Sequence, residues 1–425
     1  WPISETGRPR EMISVPQRIQ TNGARWRTET LSMPDSACKY KLGLKIIQYK
    51  ETTMKISEFE IPTGHTLAEQ NLYAAAQRQR LVGLTFQPAP QAVDTLAALL
   101  GHFDVVVVDQ QAMVPITALT PLTQAFEQLG DYEAVVALEA IHDAHRVYWQ
   151  AGRFKFDVTE KPLVYGILNV SPDSFYDGGR FVAFADMQAQ VSQMVEAGVD
   201  VIEVGGQTTR PGFTEIDADT EWQRVGPVID FLTSHFPNVP LAIDTYKYPV
   251  MQHAIEAGVD VINDVNAFVD DPRKLTLLAS GNVGLLTMHS NRDVEYTDLS
   301  TEMLAFFTKN LEALQAAGIA RERIALDQGI GYAKVADGQQ DYTMMRNLDL
   351  LNAFKRPLMV AISRKGFGAQ LFNLPKDQRL SVTLIAEAAM FLRGGNILRV
   401  HDITETVQLR KMLQVIESAY WLPQR

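Results

Sequence analysis

One cysteine, Cys38, stands among 425 residues, which excludes a disulfide framework and any thiolate metal site. Long apolar runs are missing too. None approaches the roughly 20 residues of a bilayer-spanning helix, and no secretory pattern opens the chain, so no membrane partner is expected. Positive charge is in short supply: 39 Lys and Arg face 50 Asp and Glu, for a net charge of -11. That balance argues against general nucleic-acid binding, although cations can still gather locally around an anion. With 46% hydrophobic and 21% charged residues the composition is that of a soluble globular protein, expected to be cytoplasmic. The length allows two domains, or one large barrel with an appendage.

Residues 1–53 differ from the rest. They carry nine Lys/Arg against five Asp/Glu and no helical or strand period, and read as a disordered or non-native leader. Lys50-Glu51, two codons before Met54, could be a translated ribosome-binding site, which would make Met54 the natural start. Residues 54–143 suggest a small α/β unit: helices near Leu67–Leu72, 90–100 and 118–129, and strands at Val82–Phe86, Phe103–Asp109 and Ala134–Leu138. His142 and His145 would then lie on opposite faces of an extended segment. No catalytic constellation emerges in this unit, and docking or dimerisation is its default role.

From residue 144 to 425 strand and helix alternate. A hairpin (146–150 and 153–157, turning at Ala151-Gly152) precedes eight strand candidates at 163–168, 200–204, 240–243, 260–262, 283–287, 323–326, 358–362 and 396–400. Helical patterns follow, most clearly at 186–197, 248–257, 303–317, 380–393 and 404–418. Eight such units over about 255 residues match a TIM barrel, a (β/α)8 architecture. A doubly wound sheet would alternate as well. The barrel is favoured because every polar motif sits just after a strand, at the end where barrels place their active sites.

The first strand stops at Asn169-Val170-Ser171-Pro172-Asp173-Ser174-Phe175, where Pro172 cannot donate to a sheet. Gly205-Gly206-Gln207-Thr208-Thr209-Arg210-Pro211-Gly212 follows the second and offers a cation on a loop that could swing over an anion. Asp244-Thr245 and Asn263-Asp264 end the third and fourth, a carboxylate and an amide suited to the donor-rich edge of a flat heterocycle, with helix capping as the alternative for Asp264. Met288-His289 ends the fifth and Asp327-Gln328-Gly329-Ile330-Gly331-Tyr332-Ala333-Lys334 the sixth. Ser363-Arg364-Lys365-Gly366 and Arg399-Val400-His401-Asp402 end the last two, where barrels commonly hold phosphate.

Taken in order, these motifs closely resemble those of the dihydropteroate synthases, over residues 144–425. The resemblance implies joining of 7,8-dihydropterin-6-ylmethyl diphosphate to 4-aminobenzoate. It implies that Asp244, Asn263, Asp327 and Lys365 bind the pterin, with Arg399 stacked on its ring, and that Asn169, Arg210, Arg399 and His401 gather the diphosphate. Mg²⁺ is expected near Asn169. Thr209, Pro211, Ser363 and Lys365 would shape the aminobenzoate site, and Lys365, Asp244, Asp327, Arg399 and His401 would carry the chemistry. A homodimer is expected. Gln207 replaces the usual Glu, Thr208 the usual Ser, Gln328 the usual Pro (which should free that turn), and Tyr332-Ala333 the usual Phe-Gly. Two rivals remain: a methyltetrahydrofolate–corrinoid methyltransferase-like barrel, which needs no diphosphate-binding cations, and a non-catalytic homologue acting as a binding or regulatory subunit.

Overall fold

The computed structural model describes residues 54–88, 93–159, 161–170, 180–207, 214–289, 296–332 and 338–421. The expected leader, the Pro172–Gly179 turn, and Thr208, Thr209, Arg210 and Pro211 lie outside these residues.

The chain from Met54 to His145 builds β1 (Lys55–Glu58), α1 (Leu67–Gln79), β2 (Leu81–Gln87), α2 (Val93–Gly101), β3 (Val107–Val108), β4 (Gln111–Pro115), α3 (Ile116–Leu129) and α4 (Tyr132–His145). The strands form one sheet in the order β1-β2-β4-β3, antiparallel at every pairing. Two expectations fail here. The 134–138 segment is part of α4, not a strand: Asp131 caps it by accepting from the Ala134 N–H (3.2 Å). Ala134, Leu138, Ile141 and His142 are its buried residues, a helical period that overrides the local run of β-branched residues. His142 and His145 therefore sit on a helix, and His145 Nε2 meets Glu58 Oε1 at 2.7 Å, joining α4 to β1. The 103–109 run is not a parallel strand either. Asp104, Asp109 and Gln110 have φ of +56°, +50° and +67°, so only Val107–Val108 pair, and a two-residue turn leads into β4.

A hairpin, β5 (Tyr148–Ala151) and β6 (Phe154–Asp157), leads to the eight strands of the barrel: β7 (Leu163–Asn169), β8 (Val201–Gly205), β9 (Leu241–Asp244), β10 (Val261–Asp264), β11 (Gly284–Met288), β12 (Ile324–Asp327), β13 (Leu358–Val360) and β14 (Ile397–Val400). All eight pair in parallel, and β14 closes on β7. Between them run α5 (Arg180–Ala197), α6 (Ala218–His235), α7 (Tyr248–Glu256), α8 (Pro272–Ala279), α9 (Leu299–Ala316), α10 (Gln339–Arg346), α11 (Phe367–Phe372) and α12 (Leu380–Phe391), and α13 (Ile403–Glu417) follows β14. This is the (β/α)8 barrel expected.

Strand alternation divides the core in two. Ile202, Val204, Ile243, Ile262, Leu326, Leu398 and Val400 face outward onto the helices. Tyr165, Val201, Ala242, Val261, Leu286, Ala325, Met359 and Ile397 fill the barrel interior. The hairpin closes the N-terminal end of that interior. Trp149 is fully buried and donates from Nε1 to the Arg323 carbonyl (3.0 Å). Arg323 in turn donates to the Val283 and Leu278 carbonyls (2.9 and 2.8 Å). The small layer is tied on at the same end: Arg78 grips Asp349 through Nε and Nη2 (both 2.9 Å), and Asn352 Nδ2 donates to the Arg78 carbonyl (2.8 Å).

Trp149→Ala should therefore destabilise the protein by about 3–5 kcal/mol, since it removes a buried indole and orphans a carbonyl. A denaturation midpoint indistinguishable from wild type would show that the hairpin contributes nothing to barrel stability.

Candidate active site

The next inward-facing position above the apolar interior changes character on five strands. Val201 is followed two residues on by Glu203, Ala242 by Asp244, Val261 by Asn263, Ala325 by Asp327 and Ile397 by Arg399. Because side chains on a strand repeat every second residue, these five converge at the C-terminal mouth of the barrel. Arg399 binds Glu203 Oε1 through Nε (2.7 Å) and again through Nη2, which also meets Asp244 Oδ2 at 2.8 Å. Asn263 Nδ2 donates to Glu203 Oε2 at 2.9 Å. Glu203 is only 1% exposed and links the amide to the guanidinium. Sequence reasoning missed it. The available signal was a carboxylate at an inward position of an otherwise apolar strand, two residues before the glycine pair that ends it.

Electrostatics follow from this crowding. Burial, then the nearby Glu203 charge, push the Asp244 carboxyl up to about 7 against the pull of Arg399. Its Oδ1 is buried without a hydrogen-bond partner. Burial also raises Asp327, opposed by Lys365, and Asp327 Oδ1 accepts from the Gly329 N–H (2.9 Å). Burial would lower the Arg399 pKa, but Glu203 and Asp244 hold it above the ordinary arginine value. Burial pulls the Lys365 ammonium down to about 8, with Asp327 resisting. Lys365 Nζ donates to the Ile330 carbonyl and lies 5.3 Å from the Tyr332 ring centroid. Gly331 makes room for it: φ there is +91°, and a Cβ would come within 2.9 Å of Lys365 Cδ.

Beside this cluster, Ser363 Oγ accepts from the His401 amide (3.2 Å) and lies 3.0 Å from His401 Nδ1. A hydroxyl that donates to Nδ1 leaves the imidazole proton on Nε2. Asn169 ends β7, with its Oδ1 3.9 Å from the position a Cβ on Gly205 would take. Arg364 is not a free cation: it forks onto Asp402 (2.8 and 2.7 Å) from a backbone φ of +55°. Asp264 is structural. It accepts from the Asn266 and Phe268 amides and from the buried Lys274 ammonium (2.8, 3.1 and 2.8 Å).

Two substitutions noted in the sequence are now explained. Gln328 does not free its turn. It is 1% exposed and ties the turn to α10 by donating to the Met344 carbonyl at 2.9 Å. Gln207 accepts from the Ile216 amide and the Lys247 ammonium (both 2.9 Å) while donating to the Tyr246 hydroxyl (3.2 Å). Tyr246 donates onward to Glu215 (2.7 Å), and Lys247 also pairs with buried Glu221 (2.5 Å). A glutamate at 207 would be acceptor-only when ionised and could not donate to Tyr246.

A closed barrel whose C-terminal mouth gathers an orphaned carboxylate oxygen, an inward amide, a lysine and a histidine has the form of a barrel enzyme's active face. The pterin binding enzyme family matches residues 165–401. The dihydropteroate synthase of Bacillus subtilis is 34% identical over 257 residues, covering 60% of this chain and 89% of the relative. Among solved structures, a Burkholderia cenocepacia dihydropteroate synthase complexed with 7,8-dihydropteroate aligns with a TM-score of 0.57 at 31% identity, covering 64% of this chain and 97% of that one. The Yersinia pestis enzyme in complex with a sulfonamide drug aligns at 0.58 and 34%, covering 64% and 100%. The chain belongs to the pterin-binding enzymes and, within them, to the dihydropteroate synthase family.

A carboxyl raised to about 7 contributes stability that is present below its unfolded-state pKa and lost as pH rises through 7. Asp244→Asn removes that dependence. Its melting temperature, measured relative to wild type, should therefore move upward between pH 5 and pH 7.5. A difference that stays flat over that range would mean Asp244 is ionised throughout.

Proposed function

We infer that this chain acts as a dihydropteroate synthase, condensing 7,8-dihydropterin-6-ylmethyl diphosphate with 4-aminobenzoate. The observation that carries this reading is the Glu203–Arg399–Asp244 cluster, with the unpartnered Asp244 Oδ1 ready to accept from a pterin edge. Asn263 and Asp327 add an amide and a second carboxylate, and Lys365 donates to the carbonyl side of the ring. Arg399 has Nε and Nη2 committed to carboxylates, which leaves its planar face for stacking on the pterin and its charge for the diphosphate. His401, Asn169 and Arg210 complete the diphosphate site. Thr209, Pro211, Ser363 and Lys365 border the aminobenzoate.

The C–O bond to diphosphate breaks first and takes its electron pair with the leaving group. The methylene keeps a positive charge delocalised into the pterin. Once Asp244 is ionised, above about pH 7, three carboxylates (Glu203, Asp244, Asp327) against two cations (Arg399, Lys365) leave one carboxylate in excess, suited to that cation. The aromatic amine then forms the C–N bond and sheds a proton, with no strong base required. Mg²⁺ would be held by the Asn169 amide oxygen together with the substrate's diphosphate, hard oxygen donors of the kind this ion favours. When bound it would neutralise charge on the leaving group.

No helix of the described residues is long and apolar enough to cross a membrane. A cytoplasmic location agrees with the single cysteine. Exposed Ile385, Met412, Val415 and Ile416 on α12 and α13 are suited to pairing two barrels in a homodimer.

The decisive assay supplies both substrates with Mg²⁺ and reads diphosphate release. A corrinoid methyltransferase-like barrel would release none, and a non-catalytic homologue would turn over neither substrate. Lys365→Met should cut turnover by about 10²-fold or more with little change in melting temperature. Near-wild-type turnover would remove Lys365 from the site. In the wild type, kcat/KM should fall as pH rises past about 8, where Lys365 loses its proton; a rate flat to pH 10 would mean the ammonium is not used.

A further inference from the structure

The end of the barrel opposite the active site holds a second, unassigned cavity. A cleft of about 620 Å³ lies between the small N-terminal layer and the segments that enter β7, β13 and β14. A second space of about 380 Å³ shares Arg80, Ile116, Asn352 and Asn396 with it. The larger volume is in the range of small-molecule sites. Its walls are polar for a space between two packed units, and include Thr117, Thr159 and three arginines, Arg78, Arg80 and Arg393.

The three arginines are not equivalent. Arg78 is spent on Asp349, which lines the same cleft. Arg393 is spent on the Arg346 and Ala389 carbonyls, at 3.1 and 2.7 Å. Arg80 Nη2 is buried and has no hydrogen-bond partner. Burial pushes the Arg80 pKa below the ordinary arginine value, with Asp157 opposing, and Asp157 is itself engaged by Arg146 at 2.8 Å. Glu417 also lines the cleft but makes no described hydrogen bond to Arg80. A desolvated guanidinium without a hydrogen-bonded anion is unfavourable, so its retention calls for a partner.

The backbone at this residue is unusual. Arg80 ends α1 with φ of +53°, the left-handed region where glycine or asparagine is the usual choice. Its N–H donates to the Ala76 carbonyl, and its own carbonyl accepts from the Ile116 amide at 3.1 Å. The residue is thus pinned from both sides, with a strained conformation and one guanidinium nitrogen, Nη2, unsatisfied.

We propose that this cleft binds a small molecule bearing an oxyanion, a carboxylate or a phosphate, with Arg80 as the anchoring cation. The planar fork of the guanidinium suits either group through paired N–H donors. The site is separate from the barrel mouth and needs the N-terminal layer to exist, because Arg80, Ile116 and Thr117 all come from it.

The test uses the full chain, with inorganic phosphate and citrate as probes at matched ionic strength. Melting temperature and calorimetric affinity are measured in wild type, Arg80→Met and Arg80→Lys, with dihydropteroate formation assayed alongside. Without added anion, Arg80→Met should melt at or above wild type, because a buried guanidinium nitrogen without a partner is gone. With anion, wild type should gain stability, and Arg80→Met should lose the cleft's share of binding, with affinity there down ~10-fold or more. Arg80→Lys keeps charge without the fork and should fall between. Phosphate at the catalytic mouth affects all three proteins alike, so the difference among them reports the cleft. A larger wild-type gain with citrate assigns a carboxylate ligand, and a larger gain with phosphate assigns a phosphate. Equal gains in wild type and Arg80→Met, no gain in either, or an Arg80→Met melt well below wild type without anion would each overturn the proposal. Turnover should be the same in all three proteins, so the outcome is independent of the activity at the barrel mouth.

Discussion

The contact between Arg399 and the two carboxylates of Glu203 and Asp244 is the constraint around which the barrel mouth is arranged. Three charges from β14, β8 and β9 meet above an apolar interior where water cannot solvate them. Each is tolerable only because the others are present. Glu203 also fixes Asn263, so the strands at opposite sides of the ring are linked through one buried side chain. The arrangement leaves Asp244 with one oxygen satisfied and one open. The satisfied oxygen holds the geometry, and the other is free of any hydrogen-bond donor.

Around this fixed centre the protein uses two kinds of support. At the mouth, side chains fasten the roots of the strand-ending segments. Gln207, Tyr246 and Lys247 do so after β8, Gln328 after β12, and the Arg364–Asp402 fork after β13. Catalytic positions then depend on anchored roots, as a site that must hold sub-ångström geometry requires. At the other end, Trp149 and Arg323 plug the interior and the small layer is clamped through Arg78 and Asp349. The appended layer thereby sets up a second polar cavity, built on the face that barrels ordinarily leave to stability.

The eight barrel strands were readable because each is a short apolar run with a polar stop, and period and length agree on the assignment. In the small layer those signals conflict. Val135-Val136-Ala137-Leu138 has strand composition, yet the Asp131 cap and the packing of Leu138 and Ile141 make it helix. Val105 to Val108 has it too, but positive φ at Asp104, Asp109 and Gln110 confines the pairing to two residues. Backbone sign and cap geometry of this kind are not written in composition.

By itself the sequence determined the strand count and the common end at which the polar motifs gather. Local periodicity and motif order suffice for these, because each depends on neighbours a few residues away. Only the tertiary structure decided which charges are free and which are spent. Arg364 is consumed by Asp402, Asp264 by Lys274 and two backbone amides, and Nε and Nη2 of Arg399 are held by Glu203 and Asp244. Glu203 and Arg80 carried no motif at all. Their character comes from burial and from partners on distant segments, Arg399 lying 196 residues from Glu203, and no local pattern encodes a contact across that separation.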